Sequence, residues 1–242
     1  MPEPKAPAKS ASGEVAAGQS SRSEIDAFLK QVKSLTPAAS GRGRLIFAMD
    51  ATMSRQPSWE LALELQADMF DAVKAVGGLD VQLVYFRGFN ECQASKWVSD
   101  PVALAKLMRN VSCQGGLTQI AKVLAHARRE SESSKVNALV YVGDCMEEDV
   151  DRLARLAGEL GLVKVPVFIF HEGRDAKAER AFREIARLSR GAYVPFDEGS
   201  ARQLRELLTA VAVYATGGRK ALQNLSDKTR SGAALRLLEQ LG

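Results

Sequence analysis

The chain has 242 residues, 46% of them hydrophobic and 26% charged, with a formal net charge of +4. That length and balance suit one substantial core with extensions. No apolar run approaches the ~20 residues that span a bilayer, so no membrane span is expected. The charge is uneven: residues 1–43 hold six basic against four acidic side chains, and residues 217–242 hold five against two. The middle of the chain is therefore nearly neutral. A nucleic-acid-binding core would need a concentrated basic stripe, and none is present.

Residues 1–20, rich in Ala, Pro, Ser, Gly and Lys, contain no Leu, Ile or Phe. They cannot bury enough apolar surface to order themselves, so a disordered tail without a secretory apolar region is expected. Cys92, Cys113 and Cys145 are an odd number without metal-finger spacing, which fits reduced thiols packed as small, half-buried side chains. Together these features point to the cytoplasm.

Residues 21–43 read as an N-terminal helix and linker. Ser23-Glu-Ile-Asp26 opens the helix, Ile25, Phe28, Leu29 and Val32 share a face, and Pro37, Gly41 and Gly43 end it. From Arg44 the pattern alternates. Residues 44–49 form a buried strand. Residues 58–76 form a helix with Leu61, Leu65, Met69 and Val73 at four-residue spacing, stopped by Gly77 and Gly78. A buried strand at 81–86 precedes a more polar edge strand at 91–98, and a helix at 101–111 carries Pro101 in its first turn.

The spacing then predicts a helix at 118–130 with Thr118 as N-cap, a buried strand at 138–143, and a helix at 149–160. Glu147, Glu148 and Asp149 are expected in the first turn of that helix, where acids favour the positive dipole end. A strand at 165–170, a helix at 176–188 and a short strand at 193–196 follow. Ser200-Ala-Arg-Gln203 is a capping-box signature for a last helix ending near Gly217 and Gly218. Residues 218–242 read as a C-terminal helical extension: Leu222 and Leu225 extend the last helix, and the apolar cluster Leu235, Leu237, Leu238 and Leu241 is expected to dock on the core, a partner or membrane-surface contact being the alternative.

Strands of near-continuous Val, Ile, Leu and Phe alternating with helices imply an α/β fold. It is a doubly wound, mostly parallel central sheet with helices on both faces, a Rossmann-like three-layer sandwich over residues 44–217. In such a sheet, ligands bind outside the carboxyl ends of the strands. Asp50 and Asp144 each follow a strand directly. Thr52 and Ser54 lie in the loop after Asp50, and Thr118 enters from a helix start.

Two carboxylates and three hydroxyls make an all-oxygen set, suited to hard cations such as Mg²⁺ or Mn²⁺. Hydroxyls are neutral ligands, so a divalent cation held by this set keeps uncompensated charge. An Asp or Glu from a protein partner, displacing a water, would complete its coordination.

These residues resemble a known family. Strand-Asp50-x-Thr52-x-Ser54, Gly115-Gly-x-Thr118 opening a helix, and strand-Gly143-Asp144 are similar to the von Willebrand factor A domain and its metal-ion-dependent adhesion site. The resemblance covers about residues 44–217. It implies Asp50, Thr52, Ser54, Thr118 and Asp144 as metal ligands, and a protein-interaction module rather than an enzyme. Two positions depart from the family pattern: Thr52 stands where Ser is more frequent, and Cys145 follows Asp144 where Gly is common, crowding the loop.

The alternative is a metal-dependent hydrolase resembling the haloacid-dehalogenase phosphatases, whose Gly-Asp-x-x-x-x-Asp pattern Gly143 to Asp149 imitates. Their nucleophile motif places a second carboxylate two residues after the first, as proton donor. Thr52 occupies that position here. His171 follows a strand and is a candidate base without a nucleophile in view, so no catalytic residue is expected. Trp59 and Trp97 read as packing residues.

Overall fold

The computed structural model describes residues 42–241 apart from 75, 198, 199 and 230. The tail expected at 1–20 and the helix expected from Ser23 lie outside the described residues. The elements are β1 (Gly43–Asp50), α1 (Gln56–Val73), β2 (Leu79–Arg87), β3 (Glu91–Ala94), α2 (Pro101–Arg109), α3 (Ile120–Ser133) and β4 (Ala138–Gly143). There follow α4 (Val150–Leu162), β5 (Val167–Glu172), α5 (Ala176–Leu188), β6 (Ala192–Phe196), α6 (Ala201–Thr229) and α7 (Gly232–Gln240).

The strands form one sheet in the order β3-β2-β1-β4-β5-β6. Only β3, the polar edge strand, is antiparallel. The central strands are buried on both faces, which is why they read as continuous apolar runs. Alternation sends Phe47 and Met49 to one side of β1 and Ile46 and Ala48 to the other. Apolar side chains of α1, α2, α6 and α7 fill the first side, and those of α3, α4 and α5 the second. This is the doubly wound, three-layer arrangement expected.

The C-terminal extension packs into the first of these layers. Leu222, Leu225, Leu237, Leu238 and Leu241 join the cluster that holds Phe168 and Val194, whereas Leu235 is exposed. The break expected near Gly218 is a kink and not an end. Gly218 adopts φ 67° and ψ −166°, a left-handed conformation that glycine accepts readily, and helical structure resumes beyond it.

Other boundaries move. The edge strand ends at Ala94, and Val98 returns only as an isolated bridge to Val81. The strand expected to stop at Phe170 continues through His171 and Glu172. Gln203 accepts a hydrogen bond from the Asp197 N–H (3.2 Å), so its side chain serves the preceding loop. Among the described residues, no helix is long and apolar enough to cross a membrane.

β1 lies between β2 and β4, and the chain winds outward from it in both directions. The carboxyl ends of β1 and β4 thus flank the switch point, where open parallel sheets form a crevice. The Gly115–Thr118 loop is drawn to the same edge. Leu117 N–H donates to the Gly88 carbonyl (3.0 Å), and a Cβ on Gly116 would collide with that oxygen. Only glycine permits this approach.

Candidate metal centre

Asp50 closes β1 with 1% of its surface exposed. Its Oδ1 accepts the Thr52 N–H at 2.7 Å, which turns the chain sharply off the strand. That turn sets Thr52 Oγ1 and Ser54 Oγ 3.3 Å apart, and Ser54 Oγ donates to Asp144 Oδ2 at 3.2 Å. Asp144 comes one residue after β4, whose register pairs Val142 with Met49 of β1. Strand pairing therefore brings together two carboxylates that are distant in sequence.

Three buried polar atoms in this neighbourhood have no hydrogen-bond partner among the described residues: Asp50 Oδ2, Asp144 Oδ1 and the Tyr141 hydroxyl. Tyr141 stands opposite Ala48 in the β1–β4 register, and its hydroxyl lies where a Cβ on Gly143 would come within 2.6 Å. Buried polar atoms are normally paired, and unpaired ones call for an explanation. An all-oxygen shell with two such carboxylate oxygens fits a divalent cation. Asp50, Asp144 and Cys145 can each offer one ligand atom, all within 4.8 Å of one another. Burial pushes the Asp50 carboxyl up to about 6, and the Asp144 charge adds to this, while hydrogen bonds from Thr52 and the charge of Arg55 oppose it.

Arg55, absent from the sequence-based site, lies at its base. It is 5% exposed and ends the single helical turn Met53–Arg55. Its Nη2 is 3.1 Å from Asp144 Oδ2, its Nη1 donates to Glu172 Oε2, and its Nε reaches Ser54 Oγ at 3.5 Å. Glu172 is itself buried at the end of β5 and also accepts from Ser58 Oγ. The strand expected at 165–170 stops short of Glu172, and nothing in the sequence marks Arg55 or Glu172 for the site.

Thr118 is placed differently from its expectation. Helix α3 begins at Ile120, and Thr118 is not its N-cap. The Thr118 N–H and Oγ1 donate to Glu147 Oε2 (3.0 and 2.7 Å), and Glu147 N–H donates back to Thr118 Oγ1 (3.3 Å). The helix start is capped from a distance: Glu148 accepts the N–H groups of Ile120 and Ala121, the latter at 3.0 Å. Glu147 and Glu148 thus serve α3, and only Asp149 caps α4, accepting the Arg152 N–H at 2.8 Å. The structure ties Thr52, Ser54 and Asp144 to one another and Asp50 to Thr52. No hydrogen bond among the described residues joins Thr118 to these four.

Cys145, read from sequence as a packing residue, lies beside the carboxylates, its Sγ 3.8 Å from Glu147 Oε1. Burial, then the Asp144 charge, pushes its thiol well above the ordinary value. His171 is buried with both ring nitrogens occupied, Nδ1 2.8 Å from the Tyr193 hydroxyl and Nε2 3.1 Å from the Asp144 carbonyl. Trp59 is core and donates to the Met108 carbonyl (3.2 Å), while Trp97 lies under the Arg44 guanidinium.

No protein-family model matches the chain, and no curated protein matches it in sequence. Solved structures do match its fold. The VWA domain of SpRpn10 is 12% identical with a TM-score of 0.53, over 68% of this chain and 95% of that one. Proximal thread matrix protein 1 from the mussel byssus, in a structure with a zinc-occupied MIDAS motif, is 17% identical with a TM-score of 0.57. That match covers 72% of this chain and 46% of the byssus protein. The pilus adhesin SpaC from Lactobacillus rhamnosus GG is 11% identical with a TM-score of 0.51, over 81% and 31%. At such identities the likeness is one of fold, and it agrees with the strand order and the two helical layers. The chain has a von Willebrand factor A-type α/β fold.

Proposed function

We propose that this protein is a metal-dependent protein-interaction module. Asp50, Thr52, Ser54, Thr118 and Asp144 hold a divalent cation at the switch point, and an Asp or Glu of a protein partner completes its coordination. The observation that carries the reading is the pair of buried carboxylate oxygens, Asp50 Oδ2 and Asp144 Oδ1, without partners among the described residues. Because Thr118 Oγ1 gives its hydrogen to Glu147, its oxygen retains acceptor capacity for a cation. The oxygen-rich set favours Mg²⁺ or Mn²⁺. That the byssus protein, which is similar in fold, has a zinc-occupied MIDAS motif supports a divalent ion here.

Binding without turnover is the reading the side chains support. Both ring nitrogens of His171 are occupied, Glu172 is held by Arg55 and Ser58, and Asp149 caps α4. A cytoplasmic location belongs to the same reading, supported by the free thiols of Cys92, Cys113 and Cys145.

Calorimetric titration with Mg²⁺ and with Mn²⁺ should show one site. A partner captured in Mg²⁺ should elute in EDTA. Retention of the partner in EDTA, and by the Asp50→Ala protein, would place the interaction elsewhere on the molecule.

A further inference from the structure

Arg55 brings a fixed positive charge into the proposed centre, and three features of its setting decide what that charge does. First, it contacts two of the proposed ligands, Asp144 and Ser54. Second, it cannot leave for solvent, because only 7% of its side chain is exposed. Third, it has a second anchor. Glu172, 2% exposed, accepts from Arg55 Nη1 and Ser58 Oγ, so the guanidinium has a buried carboxylate to withdraw to.

We propose, on the reading of the site given above, that Arg55 is a tethered competitor of the metal. In the metal-free protein its guanidinium is shared between Asp144 and Glu172 and offsets part of the negative charge of the centre. When a divalent cation binds Asp144, the guanidinium falls back on Glu172 alone. Repulsion between the two cations makes metal binding weak until an incoming carboxylate compensates it. Arg55 thus makes metal occupancy depend on the partner.

The opposite role, that Arg55 assists binding by orienting Asp144, is physically weaker. Ser54 Oγ already donates to the same oxygen at 3.2 Å, so that orientation is duplicated. Charge repulsion at such short range, in a partly dry crevice, is duplicated by nothing and exceeds its value in bulk water. The competition is one of charge and not of a shared oxygen: Oδ2 meets Arg55 and Ser54, and a cation on the buried Oδ1, which has no partner among the described residues, would lie beside the guanidinium.

The two ends of this ion pair predict opposite effects on Mn²⁺ affinity, measured by calorimetry on the full chain. Glu172→Gln removes the fallback anchor and throws the arginine charge onto Asp144, so affinity should fall severalfold. Arg55→Gln combined with Glu172→Gln removes both charges without leaving either unpaired, and affinity should rise about tenfold. Near-ultraviolet circular dichroism verifies the fold of each protein.

A metal-silent parent with a metal-binding double variant would also support the competitor role. Equal or weaker binding by the double variant, beside a parent that binds, would overturn it while leaving the metal site intact. Silence in both would overturn the metal reading, and the role of Arg55 with it.

Discussion

On the β1 side of the rim, Thr52, Ser54 and Asp144 bond to one another and Asp50 to Thr52, yet two carboxylate oxygens remain without partners among the described residues. On the α3 side, the donors of Thr118, Ile120 and Ala121 are taken up by Glu147 and Glu148. The first side is a shell of acceptors with lone pairs still to offer. The second is a helix start whose partial positive charge two carboxylates already satisfy. The same chemistry, oxygen atoms at strand and helix ends, leaves carboxylate acceptors unpartnered in one half, while in the other the donors are satisfied and Thr118 Oγ1 keeps a lone pair.

The sharpest way to break this contrast is Asp50→Ala, which should abolish Mn²⁺ binding in calorimetry while near-ultraviolet circular dichroism stays native. Measurable binding by that protein would mean that the open half is not the site. A second large effect concerns the support beneath it. Glu172→Ala leaves the buried Arg55 with Asp144 as its only carboxylate among the described residues, and removing one partner of a buried pair typically costs about 3–5 kcal/mol. The urea midpoint should fall accordingly, and an unchanged midpoint would show that the pair is not structural.

Protons should compete with the metal on the open side. The Asp50 carboxyl, pushed up to about 6, must be ionised to hold a cation, so Mn²⁺ affinity should decline by about tenfold per pH unit below that value. In the metal-free protein the linkage runs the other way. The folded value lies above the unfolded one, so the Asp50 contribution is fully present below about 4 and lost as pH rises through about 6. Melting temperatures against pH, with and without Mn²⁺, should therefore converge in acid and separate above pH 6.

Smaller effects sharpen the boundary between the halves. Thr118→Ala should weaken Mn²⁺ severalfold, because its hydroxyl oxygen is lost to the cation, and unchanged affinity would show that Thr118 serves Glu147 alone. Cys145→Ser should reduce affinity for Zn²⁺, which accepts thiolate, and spare Mn²⁺, which prefers oxygen. Equal losses for both metals would indicate a disturbed loop and not a lost ligand.

Much of this site is legible in the residues themselves. The buried strands at 44–49 and 138–143 announce themselves by unbroken apolar character, and each releases an aspartate at its end. A parallel sheet makes such ends neighbours whatever lies between them in sequence. Asp50, Thr52 and Ser54 need no such argument, since they are close because the chain is continuous there. The docking of Leu237 and Leu238 is legible for a different reason: an apolar helix face must be covered.

The helix starts show where this kind of reading ends. Thr118 has the composition of an N-cap, but it is Glu148 that reaches the amide of Ile120, 28 residues before it. Arg55 and Glu172 are 117 residues apart, and nothing in the spacing of either designates the other. Apolar periodicity and strand-end oxygens are local properties, so the sequence by itself determined the layered sheet and the acceptor shell. Which carboxylate meets which cation or helix start depends on the distance between loops on adjacent strands. A buried charge must find its partner within a few ångströms, and only the tertiary structure decides which groups lie that close.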